Sequence, residues 1–455
     1  MSLISRIRNI AVTQIGTPIV RRNFSTFLEK WNVALWDLHI QDAPLFFQEL
    51  TRWVLEHGGI TARLWELYAR GDWKYSRGLD DFFYKLTSSP EAMEYVNNHI
   101  ANRFFDWQKR ITERTPEIVW EAHYDIPVEM YRWKLGETMK YTAPEWNKSL
   151  GAFDLDTHQR LWMDMICQRA ELEDFGAEKK KMKVLEIGFW YGTLADHAIR
   201  NYGVHVTGLT VSDWQMAFAK DYMKHNGTLE QASLRNLDWK KLYTDSRYRA
   251  MFEEEFQWKF DRIISIEMIE AVSTEDLPLF FQFLSSCLNG DGILFLQAIN
   301  SDRFVHTTDG FIDKYIFPDG VVPEDLHIMT CAERAGFQQE SSANDIATQA
   351  YDRALMAWYE NLAKIYPDLA SQLGDYYNKR RVHPFPYRNH PSFLRIFEYY
   401  LKSCAGSFRS GYNRDGQYKF YKNPQNKVQQ IIPATREQMN SILKTKQWGE
   451  LPKAA

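Results

Sequence analysis

The ten residues Val184-Leu185-Glu186-Ile187-Gly188-Phe189-Trp190-Tyr191-Gly192-Thr193 constrain the fold more than any other stretch of the chain. An apolar run ends in an acidic residue, turns on glycine and opens a helix over 194–202, the opening unit of an α/β domain that receives a nucleoside. Glycine lets the backbone turn tightly and approach a ligand, and the helix beyond presents unpaired N–H groups. The dinucleotide pattern G-x-G-x-x-G is not met, because Trp190 stands at its second glycine. A pyrophosphate pressed on that turn is disfavoured, whereas S-adenosylmethionine carries no phosphate and suits a looser Gly-x-x-x-Gly turn. Packing alone also produces such turns, so a nucleoside site requires support from the rest of the chain.

From Lys183 strands and helices alternate: strand 183–187, helix, strand 205–209, helix from about 213, a strand near 233–234, strand 262–266, helix around 277–288 and strand 292–298. Such alternation implies a mostly parallel sheet with helices on both faces. Residues 31–120 read as an N-terminal helical region, with helices at Ala43–His57 and Pro90–Thr112. Residues 121–423 form the main domain, in which about 313–423 read as a helical substrate cover. Residues 424–455 read as a loosely attached polar tail. The Lys179-Lys180-Lys181 run reads as a solvated lead-in and 379–386 as an inserted loop.

The polar residues at the strand ends carry the chemistry. Glu186 is placed to meet the amino group of a methionine moiety. Thr210 and Gln215 can hydrogen-bond a ribose. Asp238 can accept from an adenine amino group, and Trp239 can stack on the base. Glu267 and Glu270 form an acidic pair that could hold a base or a cation, or serve as helix N-terminal charges. Gln297 ends the fifth parallel strand as a pocket group or an edge residue. Each also has a plain reading as a turn, cap or core residue; their order and spacing together favour a nucleoside.

The chain then resembles the cyclopropane-fatty-acid synthases and mycolic acid cyclopropane synthases, from about Leu38 to Lys422. The motifs are His123-Tyr124-Asp125, Tyr141-Thr142-Ala143, Val206 to Ser212, Phe260 to Glu270, Lys314 to Pro318, Tyr351 to Glu360 and Cys404 to Arg409. The resemblance implies a Rossmann-like class I methyltransferase fold acting on unsaturated acyl chains of phospholipids at a membrane surface, giving a cyclopropane or a methylene- or methyl-branched chain. It implies cofactor contacts at Tyr141, Thr142, Gly188, Thr210, Gln215 and Trp239, with Gly192 in the same loop. It further implies a bicarbonate base organised by Glu270 and Tyr351. Ala143 stands where many members have cysteine and Gln297 where many have histidine. The segments around Glu267 and Gln297 resemble a branch that includes methylene- and methyl-forming lipid enzymes. Two alternatives remain: a small-molecule N-methyltransferase of the coclaurine type, which needs no bicarbonate, and a non-catalytic family member.

Bulk properties set further bounds. A net charge of −4 supplies no general attraction to nucleic acid. The four cysteines, Cys167, Cys287, Cys331 and Cys404, have no C-x-x-C spacing and argue against a metal site or a disulfide framework. Aromatic residues make up 15%, an excess that either packs the core or lines a site for an apolar or cationic species. Residues 1–30 have the composition of a mitochondrial transit peptide: no acid precedes Glu29, and Arg6, Arg8, Arg21 and Arg22 punctuate apolar and hydroxyl residues. A peripheral cytoplasmic enzyme is the alternative location. A homodimer is left open.

Overall fold

The computed structural model describes residues 21–22, 24, 28, 37–48, 50, 64, 67–68, 70–89, 128–173, 181–256, 259–301, 311–312, 316–317, 320–343, 347–379, 390–422 and 431–452. The targeting segment, the helix expected at 90–112, the His123 motif, the Lys179–Lys181 run and the 379–386 loop lie wholly or almost wholly outside these residues. The region expected to be helical throughout contains two short strands, β1 (Leu38–Ile40) and β2 (Trp73–Tyr75), paired antiparallel. Alternation explains β2: Trp73 and Tyr75 are buried on one side of exposed Lys74, and Trp73 Nε1 donates to the Leu64 carbonyl at 2.7 Å. Helix α1 (Leu79–Ser88) follows and buries Leu79, Phe82 and Leu86.

The main sheet consists of β3 (Lys183–Ile187), β4 (His205–Thr210), β5 (Ala232–Asn236), β6 (Phe260–Ile266), β7 (Leu288–Asn300), β8 (Gln338–Ala343) and β9 (Arg414–Tyr421). Its order is β5-β4-β3-β6-β7-β9-β8, parallel from β5 to β7 and antiparallel at β9 and β8. The order reverses between β3 and β6, where such sheets leave a crevice at the carboxyl ends of their strands. Alternate strand residues enter opposite cores. Leu185, Ile263 and Leu294 pack with Phe280 and Leu284 of α8 (Leu277–Cys287). Val184, Ile264 and Phe295 pack with Trp162 of α3 (Leu155–Arg169), Leu194 of α4 (Thr193–Tyr202) and Met223 of α5 (Asp213–His225). Covering both faces is what a parallel sheet requires. Helices α6 (Trp239–Thr244), α7 (Ser246–Phe256) and α9 (Asp325–Arg334) complete this layer, whereas α2 (Val128–Leu135) sends Met130, Tyr131 and Leu135 into a separate core with the N-terminal aromatics.

Helices α10 (Thr348–Lys379) and α11 (His390–Arg409) form the cover, and their Trp358, Phe397 and Tyr400 share one core with the N-terminal aromatics. The stretch 313–423 is not helical throughout, however, because β8 and β9 lie in it and finish the sheet. The residues of β9 alternate: Asp415, Gln417 and Lys419 against Tyr418 and Phe420, all buried. A polar face and an aromatic face that alternate with a period of two make a strand and not a helix.

The tail is firmly docked rather than loose. Helix α12 (Arg436–Thr445) starts with a capping box of Thr435 and Gln438. Ahead of it, buried Arg169 makes a bidentate pair with Glu145, at 2.8 and 3.1 Å, and donates to the Ile432 carbonyl at 2.7 Å. Ala434 N donates to Glu145 Oε1 at 2.9 Å. Beyond the helix, Trp448 stacks on His197 with ring centroids 4.9 Å apart. Replacing Arg169 with Met would strand the Glu145 charge in the interior, a loss of about 3–5 kcal/mol. Urea unfolding should show that drop for Arg169→Met and no change for Arg247→Ala, whose partner Asp245 lies with it at the surface.

Candidate active site

At the end of β3, Glu186 is buried and Gly188 turns the chain at φ 78°. A Cβ there would lie 2.9 Å from Met268 Cγ, so glycine is needed for space as well as conformation. Gly188 N and Phe189 N donate to the Leu209 carbonyl of β4 at 2.9 and 3.3 Å, tying the loop to its neighbour strand. Gly192 caps α4 in the left-handed conformation. Trp190 is also left-handed, at φ 54°, which costs an L-residue roughly 1–2 kcal/mol. Its indole offsets that cost: Nε1 donates to the Met139 carbonyl at 2.7 Å, and the ring stacks on Tyr141 at 5.5 Å. The residue that breaks the dinucleotide pattern therefore fastens the loop to the segment bearing Tyr141 and Thr142.

Past β4, Thr210 Oγ1 donates to Gln215 Oε1 at 2.7 Å and accepts from Ser212 N at 3.2 Å. Ser212 caps α5 by accepting from Gln215 N at 3.0 Å. Gln215 Nε2 has no partner among the described residues and is the donor this corner offers to a ligand. Past β5, Asp238 caps α6 by accepting from Lys240 N at 2.9 Å, so one of its oxygens is already engaged. Trp239 meets Phe280 edge-on at 4.9 Å.

Four of the remaining expected residues, Thr142, Glu267, Gln297 and Tyr351, lie on one hydrogen-bonded chain whose direction is fixed. Arg169 can only donate, and its Nη1 gives to Gln417 Oε1 at 2.8 Å. Gln417 Nε2 gives to Gln297 Oε1 at 2.9 Å, which also accepts from Trp162 Nε1 at 2.9 Å. Gln297 Nε2 therefore faces Thr142 Oγ1 at 2.8 Å, Asp415 Oδ2 at 2.8 Å and Glu267 Oε1 at 3.3 Å. Thr142, having accepted from Gln297, donates its own hydroxyl to Glu267 Oε1. Tyr351 of α10 donates to Glu267 Oε2 at 2.5 Å. Thr142, Tyr351 and Gln297 thus each present a proton donor to Glu267. Tyr351 itself is held by Phe408, stacked at 4.0 Å.

Glu270, expected to organise a bicarbonate with Tyr351, makes no direct hydrogen bond to it. Its Oε1 accepts from Ile299 N at 2.5 Å, and its Oε2 is buried without a hydrogen-bond partner. Burial, reinforced by Glu267, raises Glu270 to about 8. Burial likewise raises Glu186 to about 7, against the pull of Lys140. Glu267 is pushed up by burial and drawn back by its donors Thr142, Tyr351 and Gln297. Asp415 is held well above the carboxylate range by burial and by Glu267 and Glu270. Lys140, buried itself, is lowered by desolvation and supported by Glu186 and Glu267. A floor with four buried carboxyls and one lysine welcomes a cation and fits the sulfonium and ammonium of S-adenosylmethionine.

All thirteen residues expected from the sequence lie at the carboxyl ends of the parallel strands or on the segments closing over them. Asp415, Gln417, Trp162 and Lys140 were not anticipated. The alternation in β9 was the available signal for the first two; the others occupy ordinary positions on α3 and in the loop before it.

A family model described as mycolic acid cyclopropane synthetase matches residues 109–418. The chain is 30% identical over 380 residues to the cyclopropane-fatty-acyl-phospholipid synthase of Escherichia coli strain K12, covering 82% of this chain and 85% of that one. It is 28% identical over 322 residues to sphingolipid C9-methyltransferase 1 of Gibberella zeae, covering 68% and 58%. In structure it resembles a cyclopropane synthase of Mycobacterium tuberculosis, with a TM-score of 0.55 at 24% identity over 68% of this chain and 100% of that one. It also resembles a coclaurine N-methyltransferase, with a TM-score of 0.61 at 15% identity over 79% and 99%. These two likenesses establish the class I methyltransferase fold.

The raised carboxyls set a pH dependence. Between the unfolded value of 4.5 and the folded values of about 7 and 8, the folded protein binds more protons than the unfolded chain. Stability therefore falls as pH rises through that window. Denaturant titrations of the ligand-free protein should show a decline from pH 5 to pH 8, and Glu270→Gln should flatten it by on the order of a few kcal/mol. An unchanged slope would mean that the Glu270 carboxyl is hydrated.

Proposed function

The chain belongs to the mycolic acid cyclopropane synthetase family of S-adenosylmethionine-dependent methyltransferases, and from that premise we propose that it methylates the double bond of an unsaturated acyl chain in a phospholipid. The product is a cyclopropane or a methylene- or methyl-branched chain. The observation that carries the reading is an acidic floor beneath aromatic walls: Glu267 and Asp415 below, with Tyr141 and Trp358 at 5.0 Å from each other and Tyr351 beside them. Such surroundings favour positive charge on an apolar chain, and Lys134 Nζ already lies 4.0 Å from the Tyr141 ring centroid.

S-adenosylmethionine, when bound, supplies an electrophilic methyl on a cationic sulfur. Glu186 would meet its ammonium, Thr210 and Gln215 its ribose, Trp239 and Asp238 its base, and the Gly188–Gly192 loop would admit it closely. Tyr141 and Thr142 close the site from the segment ahead of α3, and Trp190 fixes that segment through Met139. The acyl chain is oriented by the cover, whose Trp358 and Tyr351 exclude water from the reacting carbons.

The bicarbonate implied by the resemblance does not fit these residues. Tyr351 and Thr142 spend their hydroxyl protons on Glu267, and Gln297 Nε2 faces acceptors only. Ala143 offers a buried methyl. Glu270 Oε2 has no hydrogen-bond partner among the described residues, and the Glu267 carboxylate, on which these donors converge, repels a second anion. A further anion would have to draw the Tyr351 and Thr142 hydroxyls away from Glu267.

The test is incubation of the protein with methyl-labelled S-adenosylmethionine and unsaturated phospholipid vesicles, followed by mass spectrometry of the acyl chains. A gain of one CH2 unit is expected, and fragmentation separates ring from branch. Cofactor binding without that gain would turn the reading to an amine N-methyltransferase; no cofactor binding would indicate a non-catalytic member. The acid-free N-terminus supports a mitochondrial destination. A fluorescent reporter carrying residues 1–36 should enter mitochondria, and a diffuse cytosolic signal would remove that part of the proposal.

A further inference from the structure

Glu267, like Trp190, holds the left-handed conformation although it is not a glycine, at φ 47°. Glycine would sit there without strain, so the chain keeps a carboxylate at a position that disfavours any side chain. Strain of this kind persists where the surroundings over-determine it, and here they do. Glu267 N donates to the Gln297 carbonyl at 2.8 Å, while the side chain accepts from Thr142 on one oxygen and from Tyr351 on the other. The partners come from the loop before α3, from β7 and from the cover helix α10, three elements that meet at this point. Their direction is set from Arg169 inward, so the group at the end of the chain of bonds must be an acceptor.

We propose that the Glu267 carboxylate is the proton acceptor of the reaction, a base built into the chain at the place where a dissociable bicarbonate would otherwise be held. The inference rests on the reading of lipid C-methylation. In the step, the alkene π pair forms a C–C bond to the methyl, and the C–S bonding pair stays on sulfur, leaving neutral S-adenosylhomocysteine and a cation on the acyl chain. A Glu267 oxygen then takes a proton from carbon, and the C–H electron pair closes the ring or forms a new double bond. Glu267 holds that proton as its carboxylic acid and releases it to water before the next turnover. Gln297 does not titrate, so it orients the acceptor throughout. The other ionisable groups around Glu267 are Glu186, Glu270, Asp415, Tyr351 and Lys140. Asp415, kept in its acid form, adds no second negative charge beside the base.

Three proteins test this: the full chain, Glu267→Gln and Glu267→Gly. Each is assayed on unsaturated phospholipid vesicles in carbonate-depleted buffer and again with added bicarbonate, with calorimetry of S-adenosylmethionine and of bicarbonate in parallel. The wild type is expected to turn over equally in both buffers and to show no heat with bicarbonate. Glu267→Gln should bind the cofactor normally and lose about 100-fold or more in kcat, the contribution of a positioned base. Glu267→Gly relieves the backbone and opens a space bounded by the Tyr351, Thr142 and Gln297 donors. It should bind bicarbonate and regain turnover on its addition by about 10-fold or more. A wild type that needs bicarbonate, a Glu267→Gln variant within about threefold of wild type, or a cofactor-binding Glu267→Gly without rescue overturns the assignment. A wild type that binds cofactor yet methylates no acyl chain overturns the lipid reading and this inference with it.

Discussion

The carboxamide of Gln297 is bonded at every position it offers, and the layers of the molecule meet through it. Trp162 on α3 can only donate, so Gln297 Oε1 must face it and Nε2 must face the site. From β9, Gln417 repeats the instruction by donating to the same oxygen. One buried amide thereby sets the orientation of Thr142, Asp415 and Glu267, which come from a loop, an antiparallel strand and the end of a parallel strand. Unpairing it would leave several buried polar groups without partners at once, each a loss comparable to its own desolvation. The chain of donors begins at Arg169, whose other bonds hold Glu145 and the C-terminal segment. The docking of the tail and the polarity of the site are thus consequences of the same guanidinium.

Strain and buried charge appear together at the switch point of the sheet. Trp190 and Glu267 occupy left-handed positions that glycine would fill more easily, and each is retained by bonds that a glycine could not make. Trp190 joins the cofactor loop to Tyr141; Glu267 joins the cover to the sheet. Around them, the buried carboxyls Glu186, Glu267, Glu270 and Asp415 outnumber the buried lysines Lys134 and Lys140 and are raised toward neutrality. Binding of a cationic cofactor would favour their ionised forms and recover part of what burial costs. Under the proposed function, the protein carries its least comfortable groups where the cofactor and the developing cation would sit.

The alternating strands and helices from Lys183 to Ala298 were legible because each strand is short, apolar and bounded by glycine or a cap, which leaves periodicity little ambiguity. The ten candidate residues at and just beyond the strand ends were legible for a related reason, since the ends of parallel strands are where such sheets bind ligands, whereas Tyr141, Thr142 and Tyr351 came from the family resemblance alone. Residues 414–421 were not read as a strand because Asp415, Gln417 and Lys419 look like a solvated face, and only the fold reveals that they bond inward. The tail looked loose because its composition is polar; Arg169 and Glu145, which hold it, lie far away in sequence. The hydrogen bond from Tyr351 to Glu267 was hidden too. Glu267 and Glu270 stand close together in a tight turn, and a left-handed φ at Glu267 decides which of them points at the cover.

The most direct measurement is a crystal structure of the protein with S-adenosylhomocysteine, grown in the presence of bicarbonate. The account predicts Glu267 bonded to Tyr351 and Thr142 with no separate trigonal anion beside it, and the cofactor seated over the Gly188–Gly192 loop. A bicarbonate held between Glu270 and Tyr351, with the Glu267 side chain turned away, would contradict it.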